Sequence, residues 1–427
     1  MSAAPPALPR LLLGVGDHST VDLQGHLDLH GSMPDLRRIS SGQLIELVAA
    51  AGVRGRGGAS FPVAVKLRSV ASRRWQKIVL ANGAEGEPAS KKDRVLLRER
   101  PHLVLDGISL AAGAVRAREA IVAVAQDDER GLRGIARAIE ERTRARMPEP
   151  RLSVLPVPAR YISGQETALV NLVNTGTALP TFGTRPFERG VRQRPTLVQN
   201  VETLAHLALI ARHGAGWFRE LGTAEDPGSA LITLSGAARA PGVYEIEQGM
   251  PLADLLEDAG AAPAPRAVLI GGYFGAWIDG TEIERVLLDR ETLAAFRASL
   301  GAGIIVVLGP DSCAVSETAR VAKYFSAEGA GQCGPCVNGL AAVADTIARI
   351  QAGTAPHGAL ADLNRWCSEL PGRGACGHPD GAVRFVSSAL RVFASEFEAH
   401  ARRGRCELCH APAVLPTPRS DRLPRAA

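Results

Sequence analysis

The spacing of apolar positions divides the 427-residue chain into stretches of different texture. Over residues 1–38, Pro and Gly interrupt every apolar run, which predicts an irregular N-terminal arm. SSGQLIELVAAAG then reads as a helix over 40–52. Ser opens it, apolar residues fall at 44, 45, 47 and 48, and Gly52 stops it. A glycine-rich loop follows, and a second helical pattern surrounds Lys66. KIVLANGA (77–84) is predicted as a buried strand that runs into a loop. The period then alternates: helix over 102–118, strand over 119–125, helix over 129–146, strand over 152–159. Such alternation predicts an α/β fold whose parallel sheet is covered by helices on both faces.

Near 220 the texture changes. GTAEDPGSA reads as a linker. The short strands LITLSG, PGVYEIEQG and AVLIGGYFGAWID, punctuated by Gly and Pro, enclose the short helix LADLLEDAG. GAGIIVVLG (301–309) adds a strand. From Ser316 to about 402 the pattern is helical and predicts a bundle that carries cysteines. The tail APAVLPTPRSDRLPRAA, rich in Pro and Arg, predicts disorder. The expected organisation is an arm over 1–38, an α/β domain over 39–220, a small β-rich domain over 221–310, a helical bundle over 311–403 and a flexible tail over 404–427.

Composition narrows the classes. Apolar residues make up 46% and charged residues 22%, as in a globular protein in water. The net charge of +5 comes from Arg scattered among acids, which argues against a nucleic-acid partner. No apolar run reaches the roughly 18 residues a membrane span needs. The N-terminal LLLGVG patch has neither a basic start nor a cleavage site, so a cytoplasmic location is expected. All seven cysteines lie from position 313 onward. They do not form a disulfide framework, and in a reducing compartment they point to metal or redox chemistry.

VRGRGGASFP (53–62) follows a helix, whereas the dinucleotide fingerprint follows a strand. Consecutive glycines still let backbone N–H groups approach a phosphate, with a helix N-terminus and Lys66 just beyond. A plain helix–helix turn is the bland alternative. LANGAEGEPASKKDR (80–94) leaves the buried strand with Asn82, then places Glu85 and Glu87 at a strand's C-terminal end, where α/β folds bind ligands. A solvated acidic loop would look the same. YISGQETALVNLV (161–173) puts Gln165 and Glu166 at a helix start, which ordinary helix-dipole chemistry also explains.

Taken in order, RGRGGASFP…VKL, NGAEGEPASKKDR, YISGQETAL, RPTLVQNVETL, SGAARAPGVYEIEQG, GQCGPC and ACGHPDGAVRFVSSALRVFASEFEAH resemble the NADH-binding flavoprotein subunit of complex I and NAD-linked hydrogenases. The resemblance runs from about Gly42 to His400. NGAExEP with VKL also resembles the NADH-reacting component of Rnf-type ferredoxin:NAD oxidoreductases. The resemblance implies a Rossmann-like flavin domain, a ubiquitin-like β-grasp domain of the soluble-ligand-binding kind, and a helical bundle. It implies FMN, NADH or NADPH as the substrate, and a [4Fe–4S] cluster. Gly55, Arg56, Gly57, Gly58 and Lys66 would hold FMN phosphate and ribityl groups. Asn82, Glu85 and Glu87 would lie beside the flavin and nicotinamide, with Tyr161, Gly164 and Glu166 as the other wall. Asn200 would reach the flavin, and Phe61 and Phe187 the adenine. Glu87 and Glu166 would be the carboxylates at the reacting centre, although the chemistry belongs to the cofactor and needs no general base.

The sequence departs from the family at several points. Ala84, Gln165, Gln199 and Ser69 replace an Asp, a Glu, an Asn and an adenine-stacking aromatic. Lost acids would raise the flavin potential or admit a more anionic ligand, so NADPH use is open. Cys333, Cys336 and Cys376 align with three cluster ligands, and Ala330 stands at the fourth. The readings left open are a cluster completed by water, Cys367 or the Cys406-x-x-Cys409-His410 tail; a lost cluster; a zinc site from Cys333, Cys336 and the tail pair; and inert thiols. Cys313 has no evident partner and reads as core.

The expected function is an electron-transfer subunit that oxidises NAD(P)H through FMN. Its partner would be an iron–sulfur acceptor, a ferredoxin or a [2Fe–2S] subunit, within a multi-subunit complex. The alternatives are a divergent non-catalytic flavin- or nucleotide-binding scaffold and a binding module acting near Gly271 and Gly272.

Overall fold

The computed structural model describes residues 8–16, 20–183, 185–262 and 264–418. The described chain divides into two compact units. One comprises Met1–Gly86, Lys91–Ile232 and Val243–Met250, the other Glu87–Ser90, Thr233–Gly242 and Pro251–Ala427.

In the first unit the elements are α1 (Leu23–His30), α2 (Ser41–Ala51), α3 (Val63–Ala71), β1 (Ile78–Gly83), α4 (Lys92–Glu99), α5 (Pro101–Val115), β2 (Glu119–Ala125), α6 (Glu129–Arg144), β3 (Arg151–Val157), α7 (Glu166–Thr175), β4 (Thr196–Asn200) and α8 (Val201–Phe218). The expected 40–52 helix is α2. Ser40 and Gln43 form a reciprocal capping box, and Gly52 ends the helix in the left-handed region. The sheet order is β3-β2-β1-β4, and every pairing is parallel. Successive strand residues face opposite sides. Val79, Ala81, Val122, Val124 and Leu197 join a core that includes α5 and α8. Ile78, Leu80, Ile121 and Val198 join a smaller one with Leu169 and Val170 of α7. Both faces are therefore covered, as expected. Helices α5 and α8 meet at Gly107, where a Cβ would lie 1.8 Å from the Leu204 carbonyl oxygen.

The expected arm is instead held down. Arg10 and Leu11 are buried, and Glu245 accepts from the amides of Arg10, Leu11 and Leu12 at 2.7, 2.7 and 3.0 Å. The Arg10 guanidinium lies 3.8 Å from the Trp217 ring centre. Residues 1–7 and 17–19 of the arm lie outside the described residues.

His26, His30 and His102 are buried near Asp106, whose carboxylate binds His26 Nε2 at 2.8 Å, Arg142 at 2.6 Å, and Arg212. Burial, then the charges of His26, Arg212 and Arg100, push His30 down to about 3 against the pull of Asp106. Burial, His26 and Arg142 push His102 down to about 4, with Glu141 opposing. An unfolded chain binds protons at these positions below about pH 6.5, while the folded chain stays neutral there. Stability is therefore full above that pH and falls as pH drops toward 4. We expect the unfolding free energy from urea denaturation to be smaller at pH 5 than at pH 7, by on the order of 2 kcal/mol for each of these two histidines, with a correspondingly lower urea midpoint. An unchanged midpoint would contradict their neutral burial.

The second unit contains β5 (Ser229–Gly236), which enters from the first unit. It also contains α9 (Leu252–Asp258), β7 (Ala267–Ile270), β8 (Ala276–Asp279), α10 (Arg290–Ala295) and β9 (Ile304–Leu308). The intervening β6 (Gly242–Glu247) falls almost wholly in the first unit. β5 pairs in parallel with β9, β9 antiparallel with β7, and β7 antiparallel with β8. Helices α11 (Ala314–Glu328), α12 (Ala341–Ala352), α13 (Ala359–Glu369), α14 (His378–Val392) and α15 (Ala394–Arg403) follow. Rings of Tyr273, Phe325, Phe385 and Trp277 join sheet to helices, and Ser388 Oγ accepts from the Trp277 amide at 3.0 Å.

The expected flexible tail is likewise packed as far as it is described. Leu415 is buried, and Glu317 accepts from the amides of Val414 and Leu415 at 3.2 and 2.8 Å. Residues 419–427 lie outside the described residues. The correction has a simple cause: a Pro-rich segment can be fixed through its backbone amides, which composition does not reveal.

Candidate functional site

The motifs of the first unit meet at the C-terminal edge of its parallel sheet. Asn82 and Asn200 are register partners at the ends of β1 and β4. The Asn82 side chain donates to the Gly164 carbonyl at 2.9 Å and accepts from the Ala84 amide at 3.1 Å. A Cβ on Gly164 would lie 2.6 Å from Ala84 O, and one on Gly86 would lie 2.6 Å from Arg160 O and 2.9 Å from Tyr161 O. The two loops therefore touch backbone to backbone, which only glycine permits.

The glycine loop closes through Gly55 N donating to Phe61 O at 2.9 Å. Gly57 lies against Asn200, with 3.2 Å between its added Cβ and that of Asn200. Gly58 has φ +109°, and a Cβ there would meet nothing within 4 Å, leaving bare backbone. Helix α3 begins at Val63 with no side-chain cap. Lys66 lies in its first turns, with Nζ 3.1 Å from Glu166 Oε2. Open glycine backbone, an uncapped helix N-terminus and an ammonium group suit a phosphate. The residues present thus fit the phosphate end of FMN.

Several other expected site residues already have protein partners. The Arg56 side chain is buried, donates to Ser229 O at 2.9 Å and lies 3.9 Å from Glu202, so it points into the core and away from the loop. Glu85 accepts from the Asp93 and Arg94 amides at 3.2 and 3.3 Å and serves the start of α4. Glu87 belongs to the second unit, where it accepts from the Tyr273 amide at 3.2 and 3.3 Å and abuts Gly272. Phe61 is exposed, and Phe187 carries the Arg73 guanidinium 5.1 Å from its ring centre. Gln165 caps α7 through Oε1, bonded to Thr167 N at 2.7 Å and Ala168 N at 3.0 Å. Ser69 Oγ donates back to Val65 O.

Sequence reasoning missed the ions beneath this edge. Lys92 is buried, with Nζ 2.7 Å from Asp93 and 2.8 Å from Glu202. Burial opposes its charge, but Asp93, Glu202 and Glu85 outweigh burial and hold the amine well above the usual lysine value. Asp93 in turn accepts from Asn200 Nδ2 at 2.7 Å. The available signal was the adjacent Lys pair in SKKDR, since Lys occurs only at positions 66, 77, 91, 92 and 323.

In the second unit Cys333, Cys336 and Cys376 lie near enough for Cys336 to feel the charge of both others. Burial raises the Cys336 thiol to about 11, helped by Cys333 and Cys376, while the Ala330 amide donates to its sulfur and opposes the rise. At Cys333 burial also disfavours the thiolate, but the amides of Ala375 and Cys336 donate to the sulfur and bring the thiol below its usual value. Hydrogen bonds to the sulfurs are one of the factors that set the potential of an iron–sulfur cluster. The donor set nevertheless holds three thiols, with Ala330 in place of a fourth. Cys367 is buried and hydrogen-bonded to Ser387. The tail pair joins neither: Cys406 and Cys409 gather with Cys313 and His400, all four ligand atoms lying within 4.8 Å of one another. This corrects the reading of Cys313 as partnerless and of a zinc site between the tail pair and Cys333 and Cys336.

Residues 48–209 match the Nuo51 FMN-binding domain, and residues 316–400 the NADH-ubiquinone oxidoreductase-F iron-sulfur binding region. The NADH-quinone oxidoreductase F 2 protein of Rhizobium meliloti is 32% identical, with the alignment covering 85% of this chain and 90% of that protein. The NADP-reducing hydrogenase protein HndC of Solidesulfovibrio fructosivorans is 28% identical over 85% of this chain and 77% of its own length. The air-oxidised NAD+-reducing [NiFe]-hydrogenase has a chain that superposes with a TM-score of 0.82 at 28% identity, covering 96% of this chain and 69% of that one. These relatives are subunits of multi-subunit complexes. No helix among the described residues is long and apolar enough to cross a membrane. The chain therefore belongs to the NADH-quinone oxidoreductase F family, the FMN-dependent NADH dehydrogenase subunits of oxidoreductase complexes.

Proposed function

We propose that this chain is the electron-entry subunit of a multi-subunit complex, oxidising NADH or NADPH and delivering electrons to an iron–sulfur acceptor protein. The observation that carries the reading is the meeting of the glycine loop, Asn82, Asn200, Gly164 and Glu166 at one sheet edge. Bound at this site, FMN would supply hydride-accepting and one-electron redox chemistry. The chain's own residues bind and orient. The backbone at Gly57 and Gly58, with the start of α3, would seat the phosphate, and Glu166 holds the Lys66 ammonium at 3.1 Å. Asn82 and Asn200 are locked by their own hydrogen bonds and would present amide groups to the ring system. Gln165 caps α7 as a neutral group where an acid would add charge, which supports a site less hostile to a phosphorylated nicotinamide cofactor. Cys333, Cys336 and Cys376, with the Ala330 amide bonded to the Cys336 sulfur, support an iron–sulfur site of altered ligation.

The test is an anaerobic absorbance spectrum of the purified protein before and after NADH, then NADPH, with flavin, iron and sulfide assayed in the same sample. Bleaching of bound flavin by either nucleotide is expected. A bound flavin that neither reduces would overturn the reading in favour of a non-catalytic scaffold.

A further inference from the structure

We propose that Cys313, His400, Cys406 and Cys409 form a structural zinc site of the Cys3His type, separate from the iron–sulfur region. Geometry is the first ground. The sulfurs of Cys313 and Cys409 are 3.7 Å apart, those of Cys406 and Cys409 are 3.7 Å apart, and Cys313 Sγ is 3.6 Å from His400 Nε2. A tetrahedral zinc with Zn–S of about 2.3 Å and Zn–N of about 2.0–2.1 Å requires S···S near about 3.8 Å and S···N near about 3.6 Å. The spacings match both values. They are far too long for a disulfide, whose sulfurs are about 2.05 Å apart.

The surroundings are those of a built site. Cys313 and His400 are each 2% exposed. Cys313 precedes α11 and accepts from the Ser316 amide at 3.3 Å, so a helix N-terminus faces its sulfur. Cys406 and Cys409 belong to one tight turn, closed by Cys409 N donating to Cys406 O at 3.1 Å. That turn is a zinc-knuckle arrangement, with His400 supplied by the end of α15. Three of the four ligands lie outside residues 316–400, the stretch matching the iron-sulfur binding region. Cys333, Cys336 and Cys376 remain together elsewhere in the same unit. Zinc also suits the role: it has no redox chemistry and would compete with no electron transfer. It would pin the 404–418 segment to the start of α11 and the end of α15.

The test uses the full-length protein, purified without chelator. Metal analysis should find an equivalent of zinc per chain. The Cys406→Ser/Cys409→Ser double variant should lose the zinc but keep its flavin and iron, and Cys333→Ser should keep the zinc. Because the double variant can fail to fold, the intact protein is also exchanged with cobalt(II) alone. A tetrahedral thiolate site then gives intense visible ligand-field bands and a sulfur-to-cobalt charge-transfer band. Absence of zinc with no such cobalt spectrum would overturn the proposal. So would zinc retained in the folded double variant, iron in place of zinc at these residues, or a Cys406–Cys409 disulfide.

Discussion

Lys92→Met should destabilise the first unit by roughly 3–5 kcal/mol, because removing one member of a buried ion cluster leaves the others uncompensated. The carboxylates left behind are Asp93 and Glu202, at 2.7 and 2.8 Å from the lost amine. Methionine fills similar space, so the loss is electrostatic and leaves no cavity. The effect should reach the flavin edge as well. Asp93 anchors Asn200, and Asn200 lies against Gly57. The expected observations are a lower denaturation midpoint and protein that purifies with little flavin. Neutralising the stranded acids as well, in Lys92→Met/Asp93→Asn/Glu202→Gln, should recover part of the midpoint. A single variant with unchanged midpoint and flavin content would show that this charge is dispensable.

Gly58→Val should weaken flavin binding roughly 100-fold while leaving the protein folded. At φ +109° a β-branched residue is strained by roughly 1–3 kcal/mol, and its side chain projects into the space a phosphate would approach. A combined loss of about 3 kcal/mol lowers affinity roughly 100-fold. Gly176 provides the control. It has φ +81°, also with nothing within 4 Å of an added Cβ, but it ends α7 at the opposite terminus from Glu166. Gly176→Val therefore carries comparable strain without touching the loop. Titration of FMN into flavin-stripped protein, followed by fluorescence quenching, separates the two. Equal weakening in both variants would mean that the glycine loop contributes only backbone conformation.

Much of the first unit was legible because its signals are local. The β2 strand and the α6 helix follow directly from an unbroken apolar run and a 3.6-residue period. Helix α4 was not, because KDRVLLRE reads as a polar surface segment. Its Lys92 and Asp93 are buried only because Glu202 and Asn200, more than 100 positions away, complete their charges and hydrogen bonds. The short β4, with four of its five residues buried, gave too little pattern to separate strand from loop. The glycine loop, Asn82, Gly164 and Glu166 were singled out through motif order, which spacing alone did not supply, and the structure brings them to one sheet edge. Arg56 shows the limit of that route: a motif names a residue but not the direction of its side chain. The cysteines show the same limit. Cys-x-x-Cys spacing at 406 and 409 was visible, but the Cys313 and His400 partners depend on how α11 and α15 pack.

The route of the chain through the two units bears on how the protein can be dissected. It passes between them at Gly86–Glu87, Ser90–Lys91, Ile232–Thr233, Gly242–Val243 and Met250–Pro251. No single cut separates them. A fragment ending at Ile232 would discard Glu245, and with it the acceptor of the Arg10, Leu11 and Leu12 amides. The two units are thus not interchangeable cassettes. Each carries a strip of sequence borrowed from the other's stretch of the gene, so grafting one half onto another flavoprotein would require transplanting the interleaved strips with it.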